Sequence, residues 1–168
     1  VLRDLVHAVK YDERRTLAAA LAPLLIRNAG DSIAAGALLV PVPLHPWRQW
    51  SRGFNQADDI ARAIARHARS VSVVHALRRV RHTRPQSDLD AGARRRNVRG
   101  AFALAGWTPR SRRRRAGRLA DRHVVLVDDV MTTGATLEAC AEVLREAGAR
   151  EVSAVTLARV VSPAQRSR

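Results

Sequence analysis

The sequence predicts an α/β fold whose mainly parallel sheet is flanked by helices on both faces. Short apolar runs alternate with helix-spaced segments along the chain, the order that builds strand-helix-strand units. One run, Val124 to Val127, is four consecutive β-formers, the mark of a strand buried on both faces of a parallel sheet. Of 168 residues only six are aromatic and 30 are alanine, which disfavours a sandwich of aromatic-rich strands and favours close helix packing. Leu, Ile, Val and Phe together number 42, a quarter of the chain and above the roughly 20% below which disorder is the default. The length suits one domain with a real core.

The elements follow in order. Leu2, Leu5, Val6 and Val9, then Leu17, Leu21, Leu24 and Leu25, recur at helical spacing around a polar break from Tyr11 to Arg15, giving helix, break, helix. Ala37 to Val42 is a short apolar run punctuated by Pro41 and Pro43, read as a buried strand leading into a loop over Leu44 to Phe54. Asn55 is positioned to cap a helix running to about His67, with Ile60, Ala61, Ile64 and Ala68 on one face. Val71 to Leu77 reads as the next strand. Arg78 to Gly100 holds eight arginines and few apolar residues, a long exposed loop or short helix, before a short strand at Ala101 to Leu104. Arg110 to Arg118 has six arginines in nine residues without periodicity and reads as a mobile connection. After the Val124 to Val127 strand, Thr136 to Ala147 is a helix with Leu137, Cys140, Ala141 and Leu144 on its inner face and Gly148 as its stop. Val152 to Leu157 returns as a strand.

Thirty basic residues face 15 acidic ones, and all the basic ones but Lys10 are arginine. The net charge of +15 attracts phosphates, whether on nucleic acid, nucleotides or an anionic surface. GC-rich coding produces the same excess, so charge alone names no partner. One cysteine, Cys140, excludes a disulfide framework and a cysteine-based zinc site within this chain, and fits a reducing, cytoplasmic setting. Cys140 itself reads as a small core residue. No apolar stretch approaches a membrane span and no signal peptide is visible.

The chemistry concentrates in Val124-Val125-Leu126-Val127-Asp128-Asp129-Val130-Met131-Thr132-Thr133-Gly134-Ala135-Thr136. Two carboxylates at the carboxyl end of a buried strand sit where open α/β sheets place their ligands. The small, hydroxyl-rich loop after them opens into a helix, whose first amides cradle a phosphate with Thr132, Thr133 and Thr136 as further donors. The acids repel a phosphate and suit sugar hydroxyls instead, so the pair of features points to a ribose 5-phosphate. Capping and solvating a turn is the bland alternative for Asp128 and Asp129. The segment lacks the glycines and lysine of a P-loop and the Gly-x-Gly-x-x-Gly turn.

This thirteen-residue stretch resembles the signature of the type I phosphoribosyltransferases. The resemblance implies that fold, and a site for phosphoribosyl pyrophosphate (PRPP): Asp128 and Asp129 on the ribose 2- and 3-hydroxyls, and Thr132, Thr133, Gly134, Ala135 and Thr136 around the 5-phosphate. In the purine-salvage branch an acid stands where this chain has Thr132, which weakens that reading here. Lys10-Tyr11, Pro41-Val42-Pro43-Leu44-His45-Pro46, Arg52-Gly53-Phe54-Asn55-Gln56-Ala57, then Arg81, Thr83, Gln86, Leu89, Arg94 and Asn97 before Gly100-Ala101-Phe102 together resemble the ComF family of competence-associated proteins. That family usually begins with a four-cysteine zinc module. The module lies upstream of Val1 or is lacking, and no metal ligand set is inherited.

The resemblance implies a transfer of phosphoribosyl from PRPP to an unknown acceptor, with Mg²⁺ carried on the substrate and pyrophosphate released. Such displacement passes through an oxocarbenium-like state and needs no protein nucleophile. Asp128, Asp129, Arg94 and Arg52 are the expected catalytic residues, and Pro43, Leu44, His45, Arg52 and Arg81 the pyrophosphate side. Imidazole ordinarily ionises near neutrality, so His45 could act as acid or base, or simply shape its Pro-flanked loop. The alternative is a non-catalytic PRPP-binding module working with a DNA-uptake helicase or single-stranded DNA. Trp47 and Trp50 beside Arg48 and Arg52 would then stack bases, although packing explains them equally well. The expected division is a helical segment 1–36, a phosphoribosyltransferase domain 37–160 with a mobile lid at 78–100 and a basic connection at 105–120, and a tail 161–168. Homo-oligomerisation is open, and no membrane association is expected.

Overall fold

The computed structural model describes residues 14–44, 55–81, 97–106 and 108–160. Helix α1 (Arg14–Ala29) passes through a 3-10 turn (Gly30–Ile33) into strand β1 (Leu38–Pro41), then α2 (Gln56–His67), β2 (Ser72–Val73), β3 (Leu77–Arg79), β4 (Phe102–Leu104), α3 (Pro109–Leu119), β5 (His123–Met131), α4 (Ala135–Glu146) and β6 (Glu151–Arg159). Four strands form a sheet in the order β2-β1-β5-β6, with every neighbouring pair parallel. Strands β3 and β4 form a separate antiparallel pair.

Alternation along the central strands divides the core into two layers. Leu38, Val40, Val124 and Leu126 belong to one buried cluster with Leu137, Cys140, Ala141 and Leu144 of α4, Leu119 of α3, and Leu77 and Phe102 of the β3–β4 pair. Leu39, Val125 and Val127 belong to the other, with Ile60, Ala61 and Ile64 of α2 and Ala18 and Ala22 of α1. Strands β1 and β5 therefore have apolar side chains on both faces, as the run Val124 to Val127 predicts.

Several boundaries differ from the sequence reading. The expected strand Val71 to Leu77 is two: β2 joins the parallel sheet, and β3 leaves it after a tight link in which the Ala76 amide donates to the Val74 carbonyl at 2.9 Å. Apolar residues flank His75 on both sides, Val73 and Val74 before it and Ala76 and Leu77 after it, so hydrophobicity does not reveal the hand-over. Arg78 and Arg79, assigned to the lid, lie instead in β3, and Val98, near that segment's other end, is buried. The lid segment is anchored at both ends. Among the described side chains of α1, Ala18 and Ala22 are buried and Leu25 and Ile26 pack partly buried against the same cluster, while Leu24 is 46% exposed.

The largest correction concerns 105–120. The basic run is helix α3, not a mobile connection. Thr108 caps it by accepting from the Ser111 amide, Ser111 returns a hydrogen bond, and Pro109 opens the first turn, where its missing N–H costs nothing. Leu119 then enters the core with no exposed surface. Leu119→Ala is expected to cost about 2–5 kcal/mol, the range for emptying a buried leucine site, and to loosen α3 ahead of the sheet. Denaturant unfolding followed by hydrogen exchange over 109–119 checks this. A loss below about 1 kcal/mol contradicts the anchoring role.

Candidate functional site

The strand order defines where a ligand can enter. From β1 the chain crosses by α2 to β2 on one side, and from β5 by α4 to β6 on the other. The two crossovers lie on opposite faces, so the carboxyl ends of β1 and β5 diverge at a topological switch point, the usual ligand crevice of open α/β sheets. The pairing of β1 with β5 ends at Pro41 and Val127, closed by the Val42 amide donating to the Val127 carbonyl at 2.9 Å. Beyond it β5 continues beside β6 only, with Asp128 opposite Thr156.

Asp128 and Asp129 are thus the first residues past the β1 ladder. Their side chains lie close enough to interact directly. Asp128 follows Val124 and Leu126 toward Cys140 of α4 and Arg79 of β3; both side chains feel its charge. Each carboxylate accepts from the following amide: Asp128 Oδ1 from Asp129 N at 3.0 Å, and Asp129 Oδ1 from Val130 N at 2.8 Å. Burial and the adjacent Asp129 carboxylate raise the pKa of Asp128 to about 8, against a smaller opposing effect of Arg79. Arg79 itself lies over the Phe102 ring, 5.4 Å from its centroid. Burial, and then the negative field of Asp128, hold the Cys140 thiol above its ordinary pKa, so this cysteine is an inert core residue.

The loop after the acids turns at Gly134, whose left-handed backbone (φ 80°) immediately precedes α4. No neighbour crowds a side chain there, so glycine serves the conformation rather than space. Ala135 is buried and can offer a ligand only its amide. Thr132 is exposed, and Thr133 and Thr136 are partly so. This brings the expected phosphate loop and both acids to one strand end.

Across the crevice, Pro43 and Leu44 leave β1 partly buried. Asn55, expected only as a cap, also fastens the far end of this loop: its Nδ2 donates to the Val42 carbonyl at 3.0 Å while Oδ1 accepts from the Ala57 amide at 3.2 Å. Arg81 is exposed and donates to the Arg99 carbonyl at 3.0 Å, clamping the two ends of the arginine-rich segment. His45, Trp47, Trp50, Arg52 and Arg94 lie outside the described residues. Sequence reasoning missed Arg79, which nothing distinguishes from its arginine neighbours until β3 places it over Phe102.

A groove of about 320 Å³ between α4 and β6 is lined by Leu126, Leu137, Ala141, Arg145, Val152 and Ala154 among others; neither acid nor any threonine of the loop lines it. Among the described residues no three His, Cys, Asp or Glu side chains cluster around a metal position. The two adjacent carboxylates fit Mg²⁺ only as it arrives on phosphate oxygens, with one or two protein ligands. No helix of the described residues is long and apolar enough to cross a membrane.

Residues 51–168 match the phosphoribosyl transferase domain family. Over 163 residues the chain is 34% identical to competence protein F of Haemophilus influenzae, covering 94% of this chain and 68% of that protein. It is 35% identical over 162 residues to the DNA utilization protein YhgH of Escherichia coli O157:H7, covering 94% and 66%. Competence protein ComFC of Streptococcus pneumoniae is 29% identical over 120 residues, 71% of this chain and 47% of that one. The chain spans about two thirds of the length of the first two.

The raised pKa fixes a sign. Between the unfolded carboxylate value and about 8, the folded state keeps a proton that the unfolded state has lost, so stability is full below about pH 4 and falls as pH rises toward 8. The ligand-free protein is expected to lose several degrees of Tm between pH 5 and 8, and Asp128→Asn to flatten that decline and raise Tm at pH 8. An unchanged pH profile in the variant contradicts the assignment.

Proposed function

The chain belongs to the ComF family of phosphoribosyltransferase-domain proteins, and from that premise we propose that it binds PRPP at Asp128 to Thr136 and transfers the phosphoribosyl group to an acceptor. One observation carries the reading. A hydroxyl-rich loop with a left-handed glycine opens α4 at the switch point, directly after two partly buried carboxylates, of which Asp128 is held where its charge costs free energy unless a ligand uses it.

In this reading Asp128 and Asp129 accept hydrogen bonds from the ribose hydroxyls. The Gly134 and Ala135 amides and the Thr132, Thr133 and Thr136 hydroxyls hold the 5-phosphate at the positive end of α4. Pro43, Leu44 and His45 shape the pyrophosphate side, and Arg52, Arg81 and Arg94 neutralise charge growing on the leaving group. Mg²⁺, when bound with the substrate, neutralises pyrophosphate oxygens. Binding favours the ionised form of Asp128, so PRPP affinity rises with pH toward 8. The domain division of the sequence reading is retained as part of the proposal, with the basic connection replaced by α3.

The names of the relatives support a second reading, a PRPP-binding module in competence and DNA utilization without transferase activity. Both require the pocket. With PRPP at 100 times its Kd, binding to the folded state adds about 2.7 kcal/mol, several degrees in Tm. Asp128→Asn with Asp129→Asn is expected to remove that increment, measured against the variant's own ligand-free Tm. A retained increment refutes the sugar-ligand assignment. Pyrophosphate release with candidate acceptors separates transferase from binding module.

A further inference from the structure

Helix α3 holds Arg110, Arg112, Arg113, Arg114, Arg115 and Arg118 and no acidic residue. Ser111 and Arg115 are partly buried and Leu119 is fully buried, which defines the inner face. At 3.6 residues per turn, Arg110, Arg113 and Arg114 lie on the outer side, Arg118 lies at its margin beside Ser111, and all four are exposed. Among the described residues none of the four has an ion-pair partner. Gly117 lies between them with open space where a side chain would be.

Charge and Gly117 work against such a helix. Arginines three and four apart repel one another, arginines in the first turn oppose the helix dipole, and Gly117 weakens the interior. The helix is nevertheless fixed at several points. The Thr108–Ser111 capping box holds its start. Gly106, with φ 138°, lets the chain pass so close to Ser111 and Arg112 that a side chain would clash. Arg115 Nη1 donates to the His75 carbonyl at 2.7 Å, and Leu119 anchors the end. Four exposed cations are thereby held along about 12 Å of helix, from the 1.5 Å rise per residue.

We propose that the outer face of α3 is a docking surface for the phosphate backbone of a nucleic acid. The line of positive charge complements the regularly repeated negative charge of a phosphate backbone. Its lack of aromatic and apolar side chains means contact without base stacking or sequence readout. A membrane-surface helix needs an apolar face turned to the lipid, whereas Leu119 points into the core. The inference rests on the DNA-utilization reading for its purpose, but not on the PRPP pocket.

The test is anisotropy titration of the full chain with a 20-nucleotide oligothymidylate over a salt series. Single strands contribute a slope of about 0.7 per neutralised phosphate. Changing Arg110, Arg113, Arg114 and Arg118 together to Gln is expected to lower the log–log salt slope by about 3 and weaken binding on the order of 100-fold near 0.1 M salt. The same four changed to Lys keep the charge and the slope. Arg27, Arg66, Arg69 and Arg150 changed to Gln remove equal charge from other exposed positions and lower the slope by less than about 1. Circular dichroism confirms folding, and Arg113→Gln with Arg114→Gln gives half the effect if the fourfold variant is unstable. Equal losses in the α3 and control sets overturn the proposal. So does tighter binding to phosphatidylglycerol vesicles that depends on the same four residues. The PRPP-induced rise in Tm is expected to survive in the α3 variant; its absence from the parent protein refutes the pocket reading and leaves the surface standing.

Discussion

The short ladder between β1 and β5 is the constraint from which the site follows. Its four paired positions run from Leu38 with Val124 to Pro41 with Val127. Where β1 turns away, β5 continues, and the next side chains are the two acids. A longer β1 would carry the pairing past Asp128 and close the crevice. A shorter one would expose Val127 and widen it. Asn55 holds the departure point by donating to the Val42 carbonyl, so one polar side chain at the start of α2 helps set the width of the ligand entrance.

That arrangement sets stability against use. Asp128 is pressed into a low-dielectric corner beside a thiol and a second carboxylate, with one arginine as partial compensation. A neutral side chain would pack there at less cost. The tension is of the kind found at binding sites, where a group unfavourable in the empty protein becomes favourable once a ligand supplies its partners. Arg79, held over Phe102, limits the penalty without removing it.

Much of this was legible in the sequence, and the unread part has physical causes. Val124 to Val127 declared a two-sided strand because nothing polar interrupts it. Asn55 declared a cap because its side chain mimics the missing backbone acceptor. The inner face of α4 followed from the spacing of Leu137, Cys140, Ala141 and Leu144. Strand order and register depend on contacts between distant residues and leave no local trace, so the switch point came only with the fold. The break inside Val71 to Leu77 was hidden because apolar residues stand on both sides of His75. Helix α3 was hidden because its inner face is marked by Ser111, Arg115 and Leu119, of which only Leu119 is apolar, although Thr108, Pro109 and Ser111 carried a readable start signal. How the structure uses His45, Arg52 and Arg94 stays at the level of the sequence.

Strand β6 terminates the sheet order, pairing with β5 along nearly its whole nine-residue length. Among the described residues its other edge has no strand partner, and an open edge is a template for pairing with another chain. Exposed Glu151 and Arg159 blunt its two ends, but the stretch between them is uncharged. At low ionic strength the net charge of +15 keeps copies apart. As the screening length falls from about 10 Å at 0.1 M salt to about 3 Å at 1 M, that repulsion vanishes while hydrogen bonding along the edge does not. The salt that strips polyanions from the protein is therefore also the condition under which it is least protected against self-aggregation.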